Sequence, residues 1–309
     1  MATRPILILF SISIFVLSQA AVLVRWSQLP VDAIGFWRMA LTVPILFVWS
    51  WHAGHLKRSN FSDLATWARI VACAVLLFAH WRLWFMAVER TTVANATVCF
   101  ALSPLLTAVG ALVFFREPIT ARLITAIALG LAGLCVMLWG EFGTIDASAL
   151  GSVSGRANEG DILGFLSVGC FAGYILVSKS LRTRLPNLVF TFCTYSVVGI
   201  GFAGTMIWTA TPWANYAPHS WIALVGLTLG PTLLGHAAFT YCLNYLNVNF
   251  MTCATLLEPI FAAVTAAWLF GEPIKPATVA AFVLVSAGVL IVYGPNLNFR
   301  MKPLTGRDG

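Results

Sequence analysis

Ten long apolar runs recur along the chain, mostly bounded by Arg, Lys, Asp, Glu, Pro or Gly. Each is about 20 residues, enough at about 1.5 Å per residue to cross a hydrocarbon core of roughly 30 Å. None shows the strict alternation expected of a barrel strand. The runs predict helices at about 5–25, 31–52, 67–88, 93–115, 119–140, 161–180, 187–211, 220–243, 248–271 and 276–294. The predicted fold class is therefore an all-α integral membrane protein with ten transmembrane helices. The longest polar interruption, 141–160, is rich in Gly and Ser and carries Glu141, Asp146 and Glu159. It bisects the chain.

Composition agrees with this pattern. Of 309 residues, 60% are hydrophobic and 9% charged, where a soluble domain carries about 25% charged residues; the mean hydropathy is +0.88. The first apolar run is too long for the core of a signal peptide and has a counterpart later in the chain, so it reads as a span. All seven cysteines fall inside apolar runs without CxxC or Cys/His ligand spacing, which predicts packing residues and no metal site.

The net charge of +7 is scattered at helix ends and forms no stripe, which speaks against nucleic acid as a partner. With the N-terminus inside, Arg4, Lys57, Arg58, Arg69, Arg116, Arg122, Lys179, Arg182, Arg184, Arg300, Lys302 and Arg307 collect on the cytoplasmic side. Only Arg25, Arg90, Arg156 and Lys275 fall outside, and Arg38 and Arg82 lie within spans. The bias predicts both termini in the cytoplasm.

The second half repeats the first. At a shift of 156, Ile6-Leu7 meets Ile162-Leu163, Ser11 meets Ser167, Leu29-Pro30 meets Leu185-Pro186, Phe36 meets Phe192 and His80 meets His236. One gap later, at a shift of 155, Pro104 meets Pro259, Glu117-Pro118-Ile119 meets Glu272-Pro273-Ile274, and Ala132-Gly133 meets Ala287-Gly288. Five spans per repeat is an odd number, so the second half enters the bilayer from the opposite side. The predicted organisation is a first repeat over 1–140, an external linker loop over 141–160, an inverted second repeat over 161–295 and a cytoplasmic tail over 296–309. Inverted repeats suit alternating access around one site near the midplane.

Two stretches carry a family likeness: "HWRLWFMAVERTTVANATVCFALSPLLTAVGALVFFREPIT" (80–120) and "GHAAFTYCLNYLNVNFMTCATLLEPIFAAVTAAWLFGEPIKP" (235–276). Both resemble the EamA-type repeat of the drug/metabolite transporter (DMT) superfamily. In each, a short turn leads to a helix with a proline, and Glu-Pro opens the last helix of the repeat. The resemblance covers the whole chain and implies a ten-helix permease in the bilayer, with a small-molecule substrate, no cofactor and no enzymatic activity. Members export amino acids, purine-related metabolites and toxic compounds, and other branches carry sugars and nucleotides, so the cargo stays open. Ser103-Pro104 in the first half faces Glu258-Pro259 in the second, a divergence between the repeats.

Polar residues at mid-span depth are the functional candidates, since an ionisable group in hydrocarbon is costly unless it lines a cavity or finds a partner. His80 lies roughly 13 Å from the outer end of its span, and His236 occupies the related depth in the eighth. Each reads as a substrate contact or proton relay, against interhelical packing glue. Arg82 is roughly 200° round the helix from His80, so the two face apart. His80 is expected to point inward with Trp84, while Arg82 pairs elsewhere or snorkels.

Glu258, mid-span before the helix-breaking Pro259, is the acid most suited to a proton or an ammonium group, and Pro104 marks the matching break. Tyr241 joins His80, Trp84, His236 and Glu258 as a candidate substrate contact. Arg38 and Arg82 read as gating or structural ion pairs, and Glu117 and Glu272 as caps at helix N-termini.

Together these features point to a monomeric or homodimeric inner-membrane exporter of small organic metabolites, amino-acid-like or amphipathic, with protons as the candidate coupling ion. No nucleotide-binding GxxxxGK[ST] is present to supply another drive. Two rivals remain: a non-transporting scaffold, and an embedded enzyme built on His80, His236 and Glu258.

Overall fold

The computed structural model describes residues 3–56, 63–90, 99–142, 150–181, 184–270 and 276–293. The regular structure among them is helical, in ten segments. These are α1 (Thr3–Ser27), α2 (Val31–His52), α3 (Leu64–Arg90), α4 (Ser103–Phe115, after a 3-10 turn Cys99–Leu102), α5 (Ala121–Phe142), α6 (Leu150–Leu181), α7 (Asn187–Trp208), α8 (Pro218–Cys242), α9 and α10 (Pro276–Tyr293). Helix α9 runs through Val248–Ala254, a 3-10 turn Thr255–Leu257 and Glu258–Phe270. Seven of the ten, α1, α2, α3, α6, α7, α8 and α9, are long and apolar enough to cross a membrane. The others contribute the shorter apolar stretches Ser103–Phe115, Ala121–Gly133 and Val279–Gly288.

One boundary differs from expectation. The segment 141–160 is not all loop: α5 extends to Phe142 and α6 begins at Leu150. No proline stops α6 there, so the helix continues past its apolar run, and Glu159 approaches Arg90 of α3 at 3.9 Å.

The repeat is visible in local geometry. Pro30 and Pro186 precede α2 and α7 with nearly identical backbones, φ −56°, ψ 143° and φ −55°, ψ 141°. Each carbonyl accepts the N–H four residues on, from Ile34 and Phe190, both at 3.0 Å. The 3-10 turns before Pro104 and at Thr255–Leu257 before Pro259 also correspond.

Helix pairing obeys the same exchange. Swapping each helix for its mate five places along turns the α3–α6 contact into α8–α1 and the α4–α6 contact into α9–α1. The α2–α7, α4–α9 and α5–α10 contacts map onto themselves. Close approach is reciprocal in the last pair: a Cβ on Gly133 would meet the Ala281 carbonyl at 3.0 Å, and one on Gly288 would meet the Ala126 carbonyl at 2.9 Å. Without a hydrophobic drive between helices in lipid, such small-residue contacts supply the packing.

The main core joins α1, α2, α3, α6, α7, α8 and α9, with Trp81, Tyr174, Tyr195, Phe85 and Phe202 among its largest buried side chains. Buried hydroxyls mostly bond back to their own helix, as Thr42 does to the Arg38 carbonyl at 2.6 Å and Thr252 to that of Val248 at 3.0 Å. That satisfies them where no water is at hand.

Candidate functional site

In α8 an α-helical start gives way to a π-helix over Thr228–Ala237, and the cause lies in the sequence. Pro231 has no N–H to offer the carbonyl of Leu227, four residues before it. The hydroxyl of Thr232 donates to that carbonyl instead, at 2.6 Å. The same oxygen then accepts from Arg38 of α2, from Nε at 3.1 Å and from Nη2 at 2.8 Å. The helix distortion thus places a hydroxyl that anchors an arginine buried to 1% exposure.

That arginine lines a central cavity together with Leu17, Ala21, His80, Trp81, Trp84, Phe100, Phe171, His236, Phe239, Glu258 and Pro259. The walls come from α1, α2, α3, α6, α8 and α9 and from the turn before α4, so both halves contribute. Its volume is about 50 Å³, measured as the space open to the centre of a water molecule. Each buried water needs roughly 10–15 Å³ on that measure, so the cavity holds a few waters or one small solute.

His80 of α3 and His236 of α8 meet here with ring centroids 6.4 Å apart. His80 is tied to α6: Nδ1 lies 2.8 Å from Oγ and 3.1 Å from the carbonyl of Ser167, and that hydroxyl donates to the His80 carbonyl at 3.0 Å. His236 Nε2 accepts from the Trp81 indole N–H at 3.3 Å. The Arg38 guanidinium stacks 4.5 Å from the Trp81 ring centre and 5.6 Å from that of Phe85. Phe171 and Phe100 flank His80 at centroid distances of 5.0 and 5.5 Å, making an aromatic wall.

Of the residues singled out from sequence, His80, Trp84, His236, Glu258 and Pro259 line this cavity. Tyr241 does not. It lines a lateral groove among α1, α2, α7 and α8 and shares a 3.1 Å hydrogen bond with Tyr245. Arg82 faces away from the cavity and pairs with Asp32 of α2, Nε to Oδ1 at 2.9 Å, while Thr209 donates to the other carboxylate oxygen at 3.2 Å. Pro104 sits at the start of α4, just past its 3-10 turn.

The reading of Glu117 as a helix cap is corrected. Residues 116–120 are not helical and α5 begins at Ala121, with Thr120 Oγ1 accepting from the Leu123 N–H at 3.2 Å. The Glu117 carboxylate instead accepts from Lys179 of α6 and, at 3.2 Å, from Asn247 before α9. Pro118 cannot donate a backbone hydrogen bond and biases Glu117 away from helical geometry, which delays the helix. Glu272 lies outside the described residues.

Sequence reasoning missed Ser167, Trp81 and Thr232. The Ser11–Ser167 repeat match was the one available signal for the first; the other two act through partners on distant helices.

The EamA-like transporter family model matches the chain twice, over residues 4–139 and 158–294. The chain belongs to the EamA-like transporter family. This places it in the DMT superfamily as a multi-pass membrane transporter. Its relatives include an uncharacterized transporter of Archaeoglobus fulgidus, 24% identical over 226 residues, covering 72% of this chain and 76% of the relative. The uncharacterized transporter YyaM of Bacillus subtilis is 22% identical over 260 residues, covering 84% and 83%. A crystal structure superposes on this EamA chain with a TM-score of 0.76 at 17% identity, covering 94% of this chain and 96% of the other. That last likeness concerns the fold.

Proposed function

We propose that this EamA-family transporter exports small organic metabolites, amino-acid-like or amphipathic, across the inner membrane by alternating access. In this reading both termini lie in the cytoplasm and the central cavity is the cargo site. The observation that carries it is the meeting of the repeat mates His80 and His236 across that cavity. A site shared by two inverted halves faces either side when the halves exchange conformations. Glu258, opening into the same cavity without a hydrogen-bond partner among the described residues, is the group that would couple cargo to protons.

The test is efflux from preloaded proteoliposomes against labelled amino acids, nucleosides and cationic drugs, with and without a pH gradient. His80→Ala and Glu258→Gln are run beside wild type. Efflux of one compound that fails in either variant supports the reading, and dependence on the gradient supports proton coupling. Unchanged efflux in both variants would remove the cavity from the transport path.

A further inference from the structure

The polar groups on the cavity wall divide into those that are spent and those that are not. The Trp81 indole is spent on His236 Nε2, and behind the wall the Thr232 hydroxyl donates to Leu227 and accepts from Arg38. Two donors remain. Arg38 keeps N–H groups beyond those given to Thr232, and its Nη1 has no hydrogen-bond partner among the described residues; nor does any carboxylate there pair with it. Thr232 is neutral and the rings of Trp81 and Phe85 carry no net charge, so none of these direct contacts supplies the guanidinium with a counter-charge. The second donor is the Trp84 indole N–H, buried and without a partner. Guanidinium and indole nitrogens are donors only and cannot serve one another.

A buried charge without a counter-ion is strongly unfavourable, and so is an orphaned buried donor. Both groups lie on one cavity, between aromatic walls. We infer that the cavity receives an organic anion, whose carboxylate or phosphate head takes the Arg38 guanidinium and the Trp84 N–H while its apolar body lies against Phe100, Phe171 and Phe239. This rests on the transport reading for its role but not for its existence: it states what binds. Glu258, on the same cavity and without a hydrogen-bond partner among the described residues, leaves a place for a cationic group on the cargo.

The purified full-length protein in detergent is titrated with benzoate, phenyl phosphate, benzamide and benzylamine, which share a ring and differ in the head, and thermal unfolding and tryptophan emission are followed. Benzoate or phenyl phosphate is expected to raise the unfolding temperature and to quench emission, with benzamide at least about tenfold weaker, the usual weight of a charge-assisted hydrogen bond. The carboxylate and phosphate arms distinguish the two heads. Trp84→Phe keeps an aromatic ring, though a smaller one, and removes the N–H, and is expected to weaken the anion several-fold. Arg38→Gln should abolish the difference between benzoate and benzamide, and Arg38→Lys should retain part of it.

Benzamide or benzylamine binding as well as the anions in the wild-type protein overturns the inference, whether or not the Arg38 variants fold. So does absence of any response to both anions. Anion binding by a protein that exports nothing in proteoliposomes keeps the site and removes the transport role. Export with no preference for an anionic head does the reverse.

Discussion

His80 and His236, repeat mates in α3 and α8, stand with their rings 6.4 Å apart yet hold different partners. His80 is locked to Ser167 of α6 through hydrogen bonds running both ways, whereas the His236 ring accepts from the Trp81 indole and its carbonyl from Thr240 of its own helix. The counterpart of Ser167 is Ser11, which is exposed on α1. His80→Ala and Ser167→Ala should therefore each destabilise the protein by about 1–3 kcal/mol, the cost of stranding a buried partner. The double variant should lose clearly less than the sum, since both changes remove the bond between His80 Nδ1 and Ser167 Oγ. Chemical unfolding in detergent checks this, and strict additivity would mean that the α3–α6 tie contributes nothing of its own.

Two polar clamps sit at opposite ends of the helices. Asp32 joins Arg82 and Thr209, tying α2, α3 and the end of α7. Glu117 joins Lys179 and Asn247, tying the α4–α5 connection to α6 and the start of α9. Counting crossings from the N-terminus puts the Asp32 clamp on the far side and the Glu117 clamp on the near side. With Trp84→Cys as reporter in a cysteine-free protein, Asp32→Asn should speed labelling by a membrane-impermeant maleimide from the far side. Glu117→Gln should speed it from the near side. Charge reversal, Asp32→Arg with Arg82→Asp, should restore protection; labelling that rises equally from both sides in either variant contradicts separate gates.

Asp63 caps α3 from outside the span. Its carboxylate accepts from the Thr66 hydroxyl at 2.8 Å and from the N–H groups of Ala65 and Thr66 at 3.0 and 3.2 Å. The Thr66 hydroxyl leads, with the Ala65 N–H next, in holding the Asp63 carboxyl below the usual range. A carboxylate with a depressed pKa stabilises the fold above its unfolded value and loses that contribution as pH falls through its folded value. Asp63→Ala is expected to lower stability at neutral pH, as loss of a helix cap does. The gap from wild type should close as the pH drops through the acidic range. Unfolding curves at a series of pH values test this, and a gap that widens toward low pH refutes it.

Helices were legible because hydrocarbon demands long apolar runs, and the repeat because Pro30 and Pro186, or Gly133 and Gly288, do the same local work in both halves. The inward aim of His80 with Trp84 followed from helical phase. Pairings such as Arg82 with Asp32, or Arg38 with Thr232, depend on which helices become neighbours, and no local period encodes that. Tyr241 shows a second limit. Five residues beyond His236, it is about 140° round a regular helix, and the π-helix induced at Pro231 changes the phase of α8 before reaching it.

The α5–α10 pair offers a direct test of the repeat. Gly133 and Gly288 each pack against backbone of the other helix, at Ala281 and Ala126, which are themselves repeat mates. Backbone cannot rotate aside as a flexible side chain can, so an added methyl must push the helices apart. Gly133→Ala and Gly288→Ala are each expected to destabilise by about 1–3 kcal/mol, as overpacking does. Gly169→Ala, whose Cβ would meet nothing within 4 Å, is the control and should be close to neutral or slightly stabilising through helix propensity. If the crossing is built on two-fold symmetry, the first two variants should cost similar amounts in thermal unfolding, and the pair together should cost less than their sum, since one separation of the helices relieves both clashes. A large loss in one and none in the other would show that the two halves do not share the load at this crossing.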